Sequence, residues 1–484
     1  MASKPSEYPE GTHPVLEDDI GSIWTPLYQN ECSFSTANFS QVMHNLIRNP
    51  NIDSNHLFRA DILLEAPFVG GSDYEPTPKL VQMEDFNLDT VMIRKFIPRN
   101  VQLDQPMDQT CLLYSQTRET EAKSLVVYLP HICSPSEAPH YHPAVHGIAF
   151  LHVFDTSTEK GHLSVHYSFF ESAPRSAVLQ RTALHLITTV QKHGNGLHNG
   201  YVKKVHHDVI LPQVKTQNTY ARLKTKYAKS LITNWNEVTD PTKHVFEDLG
   251  IAAFLIELWA ELYPEGTPFP GFVDIGCGNG LLTYILLEEG YSGWGFDARK
   301  RKSWDAYCAK APGSLQELVL VPGIIQSVDD AAEPEGEKSD TAVGTHAGDF
   351  PKGTFIISNH ADELTPWTPI LATLSQSPWI AIPCCSHNLT GSRFRAKPPE
   401  ETGASSSAYS SLVSWVSQLA VDCGWKVEKE MLRIPSTRKA CLLGRYRTKP
   451  YEDVDAAGLI SAYGGAAGWV ENAMKLVKVG PRGH

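Results

Sequence analysis

The chain has 484 residues, more than one core usually contains, so we expect at least two domains. Hydrophobic residues make up 42% and aromatic residues 10%, which is typical of a globular protein, and the net charge of −12 argues against a generally basic nucleic-acid-binding surface. No apolar run approaches the roughly 18 residues that cross a membrane, and the N-terminus lacks the pattern of a secretory signal. The nine irregularly spaced cysteines suit free thiols in a reducing compartment.

The first 235 residues show two patterns. Residues 1–110 are acidic, rich in proline and weakly periodic, and we predict only a short helix over 38–48, capped by asparagine. Residues 111–235 form a predicted accessory α+β region. Its strands and its amphipathic helix are expected at 124–132, 144–154, 161–170 and 178–191.

Histidines are frequent in this first half. Imidazole is a common metal ligand, but no cysteine or carboxylate lies at a supporting spacing, and the chain has no C-x-x-C pair. We therefore predict ordinary loop and strand histidines and no metal site. The residues concerned are His140, His142, His146, His193, His198, His206 and His207.

Two helices are predicted before the central motif. Residues 220–235 interleave basic and aromatic side chains, which can contact phosphates and stack on bases, although a solvated helix face is the simpler interpretation. Asp240-Pro241 then caps and begins a helix that extends to Tyr263. Its apolar middle predicts burial against the sheet that follows.

The central motif is GFVDIGCGNGLLTYILLEEGYSGWGFDARKRKSW, residues 271–304. It predicts a buried strand, a glycine turn, a helix and a second strand that ends in Asp297. Glycines let the backbone turn tightly and approach a ligand, and an acid about 20 residues after the turn can accept hydrogen bonds from ribose hydroxyls.

The residues before and after the glycine turn indicate which ligand it binds. No Lys-Ser/Thr follows, as a triphosphate-binding loop requires, and Asp274 at the strand end suits a ligand with an amino group and a positive charge. S-adenosylmethionine has these features, whereas a dinucleotide site of the NAD type is the alternative. The predicted cofactor-binding residues here are Asp274, Gly276, Cys277, Gly278, Asn279, Gly280 and Asp297.

Further candidates follow the motif. A third strand is expected at 318–321, and the acidic stretch 328–348 is predicted to be a disordered insertion. Asp349 and Phe350 close it, where an acid and an aromatic ring could hold adenine. Local stability does not explain the basic run Arg299, Lys300, Arg301 and Lys302, because positive charge is unfavourable at a helix start. One or two of these four residues are predicted to contact phosphates.

The last third predicts the rest of the sheet. Strand 4 (354–358) ends in Asn359-His360-Ala361-Asp362-Glu363, and strand 5 (379–382) ends in Pro383-Cys384-Cys385, so polar groups collect at carboxyl ends where open sheets bind ligands. Residues 383–450 contain 11 Lys and Arg against 5 Asp and Glu. Arg393 and Arg438 in this basic stretch are further candidates for contact with phosphates. A helix and two terminal strands are expected at 409–421, 425–434 and 439–444.

The predicted fold class is therefore α/β, with a seven-stranded, Rossmann-like class I methyltransferase domain preceded by an α+β N-terminal region. The predicted boundaries are 1–110, 111–235, 236–450 for the methyltransferase domain, and 451–484 for a C-terminal tail.

Six segments together resemble a known family, the eukaryotic tRNA (uracil-2′-O-)-methyltransferases that modify uridine 44 of serine tRNA. They are DPTKHVFEDLGIAAFLIELW, FVDIGCGNGLLTYILLEEG, GFDARKRKSW, NHADELTPW, IPCC and LRIPSTRKACLLG, within about residues 235–446. The resemblance implies S-adenosylmethionine as donor, a ribose 2′-hydroxyl of serine tRNA as acceptor, a cytoplasmic setting and possible assistance from an accessory protein.

The sequence leaves the chemistry open. A ribose hydroxyl needs a proton acceptor as it attacks, and the candidates are Asp362, Glu363 and His360, with Asn359 beside them on the cofactor side. Asp362 or Glu363 could instead cap the following helix. One alternative is methylation at pyrimidine C5 with Cys384 as nucleophile; another is an inert RNA-binding module that keeps the cofactor fold.

Overall fold

The computed structural model describes residues 4–100, 103–170, 176–203, 206–325, 344–397 and 407–478. The chain divides into two compact units, Met1–Lys203 and Lys204–His484. This differs from the predicted boundaries at residues 110 and 235. Strands from the first 110 residues pair with those that follow, which makes one unit of the two predicted segments.

The first unit is built on one antiparallel sheet. Its strands are β1 (Ser6–Glu7), β2 (Trp24–Cys32), β3 (Leu57–Pro67), β4 (Asn87–Pro98), β5 (Met107–Thr117), β6 (Glu121–Pro130), β7 (Gly147–Asp155) and β8 (Lys160–Ser168). Among the described residues the sheet has eight strands in the order β1-β2-β8-β7-β6-β5-β4-β3. β6, β7 and β8 confirm the three predicted strands.

The prediction of weak structure before residue 110 is wrong. β3 and β4 are long strands, but their pairing shifts register at two points, between Leu57 and Arg59 and between Ile62 and Leu64. Such irregularities interrupt the alternation of buried and exposed side chains by which a strand is recognised in sequence.

Two helices pack on this sheet, α1 (Thr36–Arg48) and α2 (Ala177–His198). The hydroxyl of Ser35 accepts a hydrogen bond from the Asn38 amide at 3.3 Å. Ser35 is therefore the N-cap of α1, and Asn38 lies inside the helix. The buried face of α1 includes Phe39, Val42 and Met43.

The second unit is built on a mixed sheet. Its strands are β9 (Phe272–Ile275), β10 (Gly293–Asp297), β11 (Leu315–Leu320), β12 (Gly344–His346), β13 (Phe355–Asn359), β14 (Trp379–Ile382), β15 (Trp425–Met431) and β16 (Ala440–Arg447). Within the described ranges their order is β12-β11-β10-β9-β13-β14-β16-β15. The pairs that involve β16 are antiparallel and the others are parallel.

The sheet therefore has eight strands in the described part of the chain, and the predicted number of seven is corrected. The additional strand, β12, pairs with β11 at the edge, with Leu318 opposite Gly344. It falls within the stretch 328–348 that was expected to be disordered. Three residues, Gly-Thr-His, are too few to show a strand periodicity. The rest of that prediction, 328–343, lies outside the described residues.

The helices of the second unit cover both faces of the sheet. They are α3 (Gln213–Thr233), α4 (Pro241–Leu262), α5 (Leu281–Glu288), α6 (Trp304–Cys308), α7 (Thr368–Leu374), α8 (Ala408–Asp422), α9 (Ala456–Ala462) and α10 (Trp469–Lys478). Asp240 caps α4 as predicted, accepting from the Thr242 amide at 2.9 Å. None of the helices in the described part of the chain combines the length and hydrophobicity that crossing a membrane requires.

Basic residues of α3 are held by neighbours in the same unit. Arg222 and Lys226 both pair with Glu289, at 2.6 and 2.8 Å. The Lys224 ammonium lies 5.3 Å from the centre of the Phe246 ring. The interpretation of α3 as a structural helix face is therefore favoured over a role in stacking on bases.

Candidate active site

A cavity of about 590 Å³ opens at the carboxyl ends of β9, β10, β11 and β13. Parallel strands bring their carboxyl ends to one edge, where loops of distant sequence meet. The predicted site residues that line the cavity are Gly276, Cys277, Gly278, Asn279, Asp297, Arg299, Arg301, Asn359, His360, Asp362, Glu363 and Arg438.

The glycine turn forms the floor of the cavity. Gly278 has a φ of 52°, and a Cβ atom there would meet no described heavy atom within 4 Å, so the backbone faces open space. Gly280 has a φ of 77°, and a Cβ there would lie 2.5 Å from Leu315 Cδ1, so a side chain at this position would be strained. The Trp304 indole N–H donates to the Gly278 carbonyl at 2.9 Å and holds the turn in place.

Asp297 stands beside the turn with a carboxylate that lines the cavity. It accepts hydrogen bonds from the backbone N–H groups of Gly278 at 3.1 Å and Arg299 at 3.2 Å. Burial raises the pKa of Asp297, and the Arg301 guanidinium, 3.7 Å away, opposes that rise. The acid is thus oriented at the position where ribose hydroxyls would be recognised.

Asp274 has a different environment from the one predicted. It is 1% exposed and does not line the cavity. The Thr283 hydroxyl of α5 donates to its Oδ2 at 2.9 Å, and burial raises its pKa to about 7. Asp274 therefore joins β9 to α5 beneath the turn, and the expected direct contact with a ligand amino group does not fit this position.

Asp349 and Phe350 also lie away from the cavity lining. Phe350 is buried in the core, where its ring stacks on His346 with centroids 5.0 Å apart. The apolar wall of the cavity is instead formed by Leu318–Leu320 of β11 and by α10. That wall is where a flat apolar base would fit.

α10 belongs to the segment predicted as a tail, residues 451–484. Its Trp469 is 1% exposed, and the indole N–H donates to the Leu320 carbonyl at 2.9 Å. Ala473 and Leu476 also line the cavity. The description of this segment as a tail is therefore corrected for residues 456–478, because α9 packs in the core and α10 completes the site.

The opposite wall carries an acidic pair from α4, Glu247 and Asp248, which are not among the residues predicted from sequence. Glu247 Oε1 lies 3.0 Å from His360 Nε2. Burial opposes ionisation, but hydrogen bonds from His360 and Ser436 lower the pKa of Glu247. Because an ionised carboxylate only accepts hydrogen bonds, Nε2 of His360 carries the proton and Nδ1 is the acceptor of the neutral ring.

The segment after β13 has unusual backbone geometry. His360 and Asp362 have φ values of 51° and 42°, which non-glycine residues rarely adopt. Strain of this kind costs roughly 1–3 kcal/mol and is concentrated at functional sites. Here it places three side chains of one short segment, those of His360, Asp362 and Glu363, along the cavity.

Asp362 and Glu363 are each engaged by another side chain. The Cys384 thiol donates to Asp362 Oδ1 at 2.8 Å, and Glu363 Oε1 lies 3.5 Å from His387 Nε2. The hydrogen bond with Cys385, then burial and Asp362, raise the pKa of the Cys384 thiol. The candidate acids are thus already partnered, whereas His360 keeps an acceptor nitrogen.

The structure brings Asp362, Cys384 and Cys385 together, with oxygen and sulfur atoms within 4.8 Å of one another. The sequence predicts no metal site, and these donor types are ones that zinc accepts. However, the proton shared between Cys384 and Asp362 already satisfies that pair. The clustering by itself therefore gives no independent indication of an ion.

The basic candidates fall into two groups. Arg299 and Arg301 lie at Asp297, and Arg438 donates to the Cys384 carbonyl at 3.0 Å while its guanidinium lies 4.8 Å from the Tyr409 ring centre. The others point to the surface: Lys300, which pairs with Asp305 at 2.5 Å, and the exposed Lys302 and Arg393.

Comparisons with known proteins agree with this architecture. Residues 6–204 match the model of a TRM44-like, N-terminal bet v1-like domain. Residues 210–322, which contain α4, the glycine turn and Asp297, match that of a predicted AdoMet-dependent methyltransferase. The second unit is therefore an S-adenosylmethionine-dependent methyltransferase domain.

The relatives define the family more narrowly. A tRNA (uracil-O(2)-)-methyltransferase of Neurospora crassa is 50% identical over 98% of this chain and 97% of its own. Proteins of the same name from Saccharomyces cerevisiae and Schizosaccharomyces pombe are 37% and 41% identical over 96% and 87% of this chain, covering 95% and 85% of their own lengths. The chain belongs to the tRNA (uracil-O(2)-)-methyltransferase family.

Proposed function

We propose that this protein transfers a methyl group from S-adenosylmethionine to the ribose 2′-hydroxyl of a uridine in tRNA, and that uridine 44 of serine tRNA is its substrate. The relatives' names support a tRNA uridine as acceptor. The observation that carries the proposal is the His360–Glu247 pair, which faces the same cavity as the glycine turn and Asp297. We also propose that the protein acts in the cytoplasm and that an accessory protein assists it.

The cavity fits the proposed donor. S-adenosylmethionine, when bound, supplies an electrophilic methyl group on a sulfonium. In this chain Asp297 would accept hydrogen bonds from the ribose hydroxyls, and Gly278 would let the backbone approach the ligand. Leu318–Leu320 and Trp469 would cover the adenine.

His360 is the proton acceptor that the geometry favours among the three candidates. Its ring lines the cavity, and Glu247 holds the Nε2–H, so that Nδ1 can accept the proton of the attacking hydroxyl. The ionised Glu247 would also stabilise the imidazolium that forms. Since transfer to a sulfonium needs an oriented nucleophile above all, positioning of the ribose should supply much of the rate.

Asp362 and Glu363 are proposed as positioning residues. Asp362 is tied to Cys384 and Glu363 lies beside His387, so both connect the segment after β13 to the segment after β14. These contacts hold His360 at its strained backbone position. The two acids would thus act on the reaction through His360.

The RNA contacts are proposed for two sets of residues. The outward-facing Lys300, Lys302 and Arg393 are suited to neutralise phosphates of the tRNA backbone. Arg438 at the cavity wall is the second, since it is placed to meet a phosphate near the target nucleotide. Arg299 and Arg301 instead orient Asp297, the first through its backbone N–H and the second through its guanidinium.

Two other functions receive less support. A C5-methylating cysteine must be a thiolate to attack, whereas the Cys384 thiol donates its proton to Asp362 and has a raised pKa. An inert RNA-binding module would have no need of the ordered turn, Asp297 and the His360–Glu247 pair.

The proposal is tested by incubating the purified full-length protein with S-adenosylmethionine and unmodified serine tRNA, followed by nucleoside mass spectrometry. We expect 2′-O-methyluridine, mapped to position 44 by nuclease fragments. Appearance of 5-methyluridine would support the Cys384 chemistry, and no methylated nucleoside would support the inert module. A phenylalanine tRNA serves as the substrate control.

A further inference from the structure

The acidic pair on α4 has a second member whose partner differs from that of Glu247. Asp248 is 8% exposed and lines the cavity. Its Oδ1 accepts a hydrogen bond at 3.3 Å from Nδ2 of Asn359, the last residue of β13. The Oδ1 of Asn359 is buried and has no hydrogen-bond partner among the described residues. A buried carboxyl group and a buried amide oxygen thus lie together at the cavity wall.

The order of the strands determines how the ligand is oriented along their carboxyl ends. β11, β10, β9 and β13 are adjacent and parallel, and neighbouring strands lie about 4.8 Å apart. With its ribose at the end of β10 and its adenine on the apolar wall at β11, the ligand extends over β9. Its amino-acid end then reaches the end of β13, roughly 10 Å from β10.

The register places Asn359 at the matching height. Ile357 of β13 pairs with Asp274 of β9, so Asn359, two residues further, lies beside the first residue of the glycine turn. Asp248 is brought to the same point by α4. The apolar and the acidic walls therefore stand at opposite ends of the path that the ligand follows.

We propose that Asp248 and Asn359 bind the α-ammonium group of S-adenosylmethionine. The ammonium donates to the Asp248 carboxylate and to the Asn359 amide oxygen, which supplies a charged partner for a buried acid. The site binds the primary ammonium group of an amino acid. Adenosine derivatives that lack this group should therefore bind with lower affinity. This inference rests on the donor in the proposed function.

The surroundings of Asp248 agree with such a role. Burial and the charges of Glu247 on α4 and Asp274 on β9 raise the pKa of Asp248 well above its ordinary value, which the Asn359 amide on β13 opposes. Tyr307 of α6 is the fourth group that faces it. An arriving ammonium would stabilise the ionised form, so ligand binding at a pH below the raised pKa of Asp248 should release a proton.

The test compares two ligands by calorimetry: S-adenosylhomocysteine and its des-amino analogue, in which hydrogen replaces the α-ammonium. The wild-type protein should prefer S-adenosylhomocysteine by about 10-fold to 100-fold, the range for a hydrogen bond to a charged group. In Asp248→Asn this preference should fall to within about threefold. Asp297→Asn is the matched control, because it weakens both ligands equally through the shared ribose.

Equal losses for the two ligands in Asp248→Asn would overturn the assignment and leave Asp248 a structural role. If neither ligand binds the wild-type protein, the proposed function itself fails. A second measurement needs no variant: titrations in two buffers of different ionisation enthalpy should show more proton release with S-adenosylhomocysteine than with the des-amino analogue. The titrations are repeated at several pH values between 4 and 8, and equal proton counts at every pH would contradict the proposal even if Asp248→Asn does not fold.

Discussion

The two halves of the cavity are assembled in different ways. The donor half comes mainly from one stretch, in which β9, the glycine turn, α5 and β10 follow each other and end in Asp297. The acceptor half combines Glu247 of α4, His360 after β13 and Cys384 after β14, which are far apart in the chain. A site built from one local motif can be recognised in sequence, whereas a site built from distant loops becomes visible only in the fold.

The largest effect is expected in the acceptor half. His360→Ala should lower kcat by about 10²-fold to 10⁴-fold, because removal of a general base costs this much. The Kd for S-adenosylhomocysteine should stay within about threefold of wild type, since the donor half is untouched. Single-turnover rates and calorimetry on the same preparation check both values, and an unchanged rate would remove His360 from the mechanism.

The next largest effect is expected for a substitution in the donor half, at Asp297. Asp297→Asn should weaken S-adenosylhomocysteine by about 10-fold to 100-fold, because hydrogen bonds to a charged acceptor contribute about 1.5–3 kcal/mol. At saturating donor, kcat should change little. Asp305→Asn, at an exposed acid of α6, is the control and should bind normally. Equal affinity in both variants would remove Asp297 from the donor site.

A smaller effect is expected for the tRNA contacts outside both halves. Lys302→Ala should raise the KM for tRNA by a few fold and reduce by about 0.9 the slope of log affinity against log salt, as the loss of one phosphate contact predicts. Filter binding at several salt concentrations measures the slope. Lys4→Ala, a lysine of the first unit, provides a charge-matched control. An unchanged slope for Lys302→Ala would argue against phosphate contact.

The smallest effect on methyl transfer is expected for Asp274. Asp274→Asn should leave donor affinity within about threefold, because Asp274 lies beneath the turn. The pKa of Asp274 in the folded protein, about 7, is raised above its ordinary value of 3.8, so folding favours the protonated carboxyl group. Its contribution to the free energy of unfolding is complete below pH 4 and is lost as the pH rises to 7. Asp274→Asn should therefore lose less stability than wild type over this range.

Thermal melts between pH 4 and pH 8 check this prediction. The difference in free energy of unfolding between Asp274→Asn and wild type should grow up to pH 7, to at most about a few kcal/mol, and then stay constant. Parallel melting curves would contradict the assigned environment of Asp274. A large loss of donor affinity would instead restore the contact that the sequence predicted.

The sequence predicts the order of the main strands, the turn and Asp297, because each depends on local spacing. It does not distinguish Asp274 from Asp297, since burial beneath the turn depends on α5 packing through Thr283. Glu247 and Asp248 interrupt the apolar residues in the middle of α4, and that contrast could have marked them. Trp469 carried no signal, because its role depends on a contact with Leu320 about 150 residues away.

The central claim, methylation of a ribose oxygen, is tested most directly by changing one atom of the substrate. Serine tRNA with 2′-deoxyuridine at position 44 should accept no methyl group from the wild-type protein, whereas tRNA with a 2′-deoxynucleotide at position 45 should be methylated at a rate near that of the unmodified RNA. Methylation of the 44-deoxy substrate would place the methyl group on the base or at another nucleotide and would contradict the account.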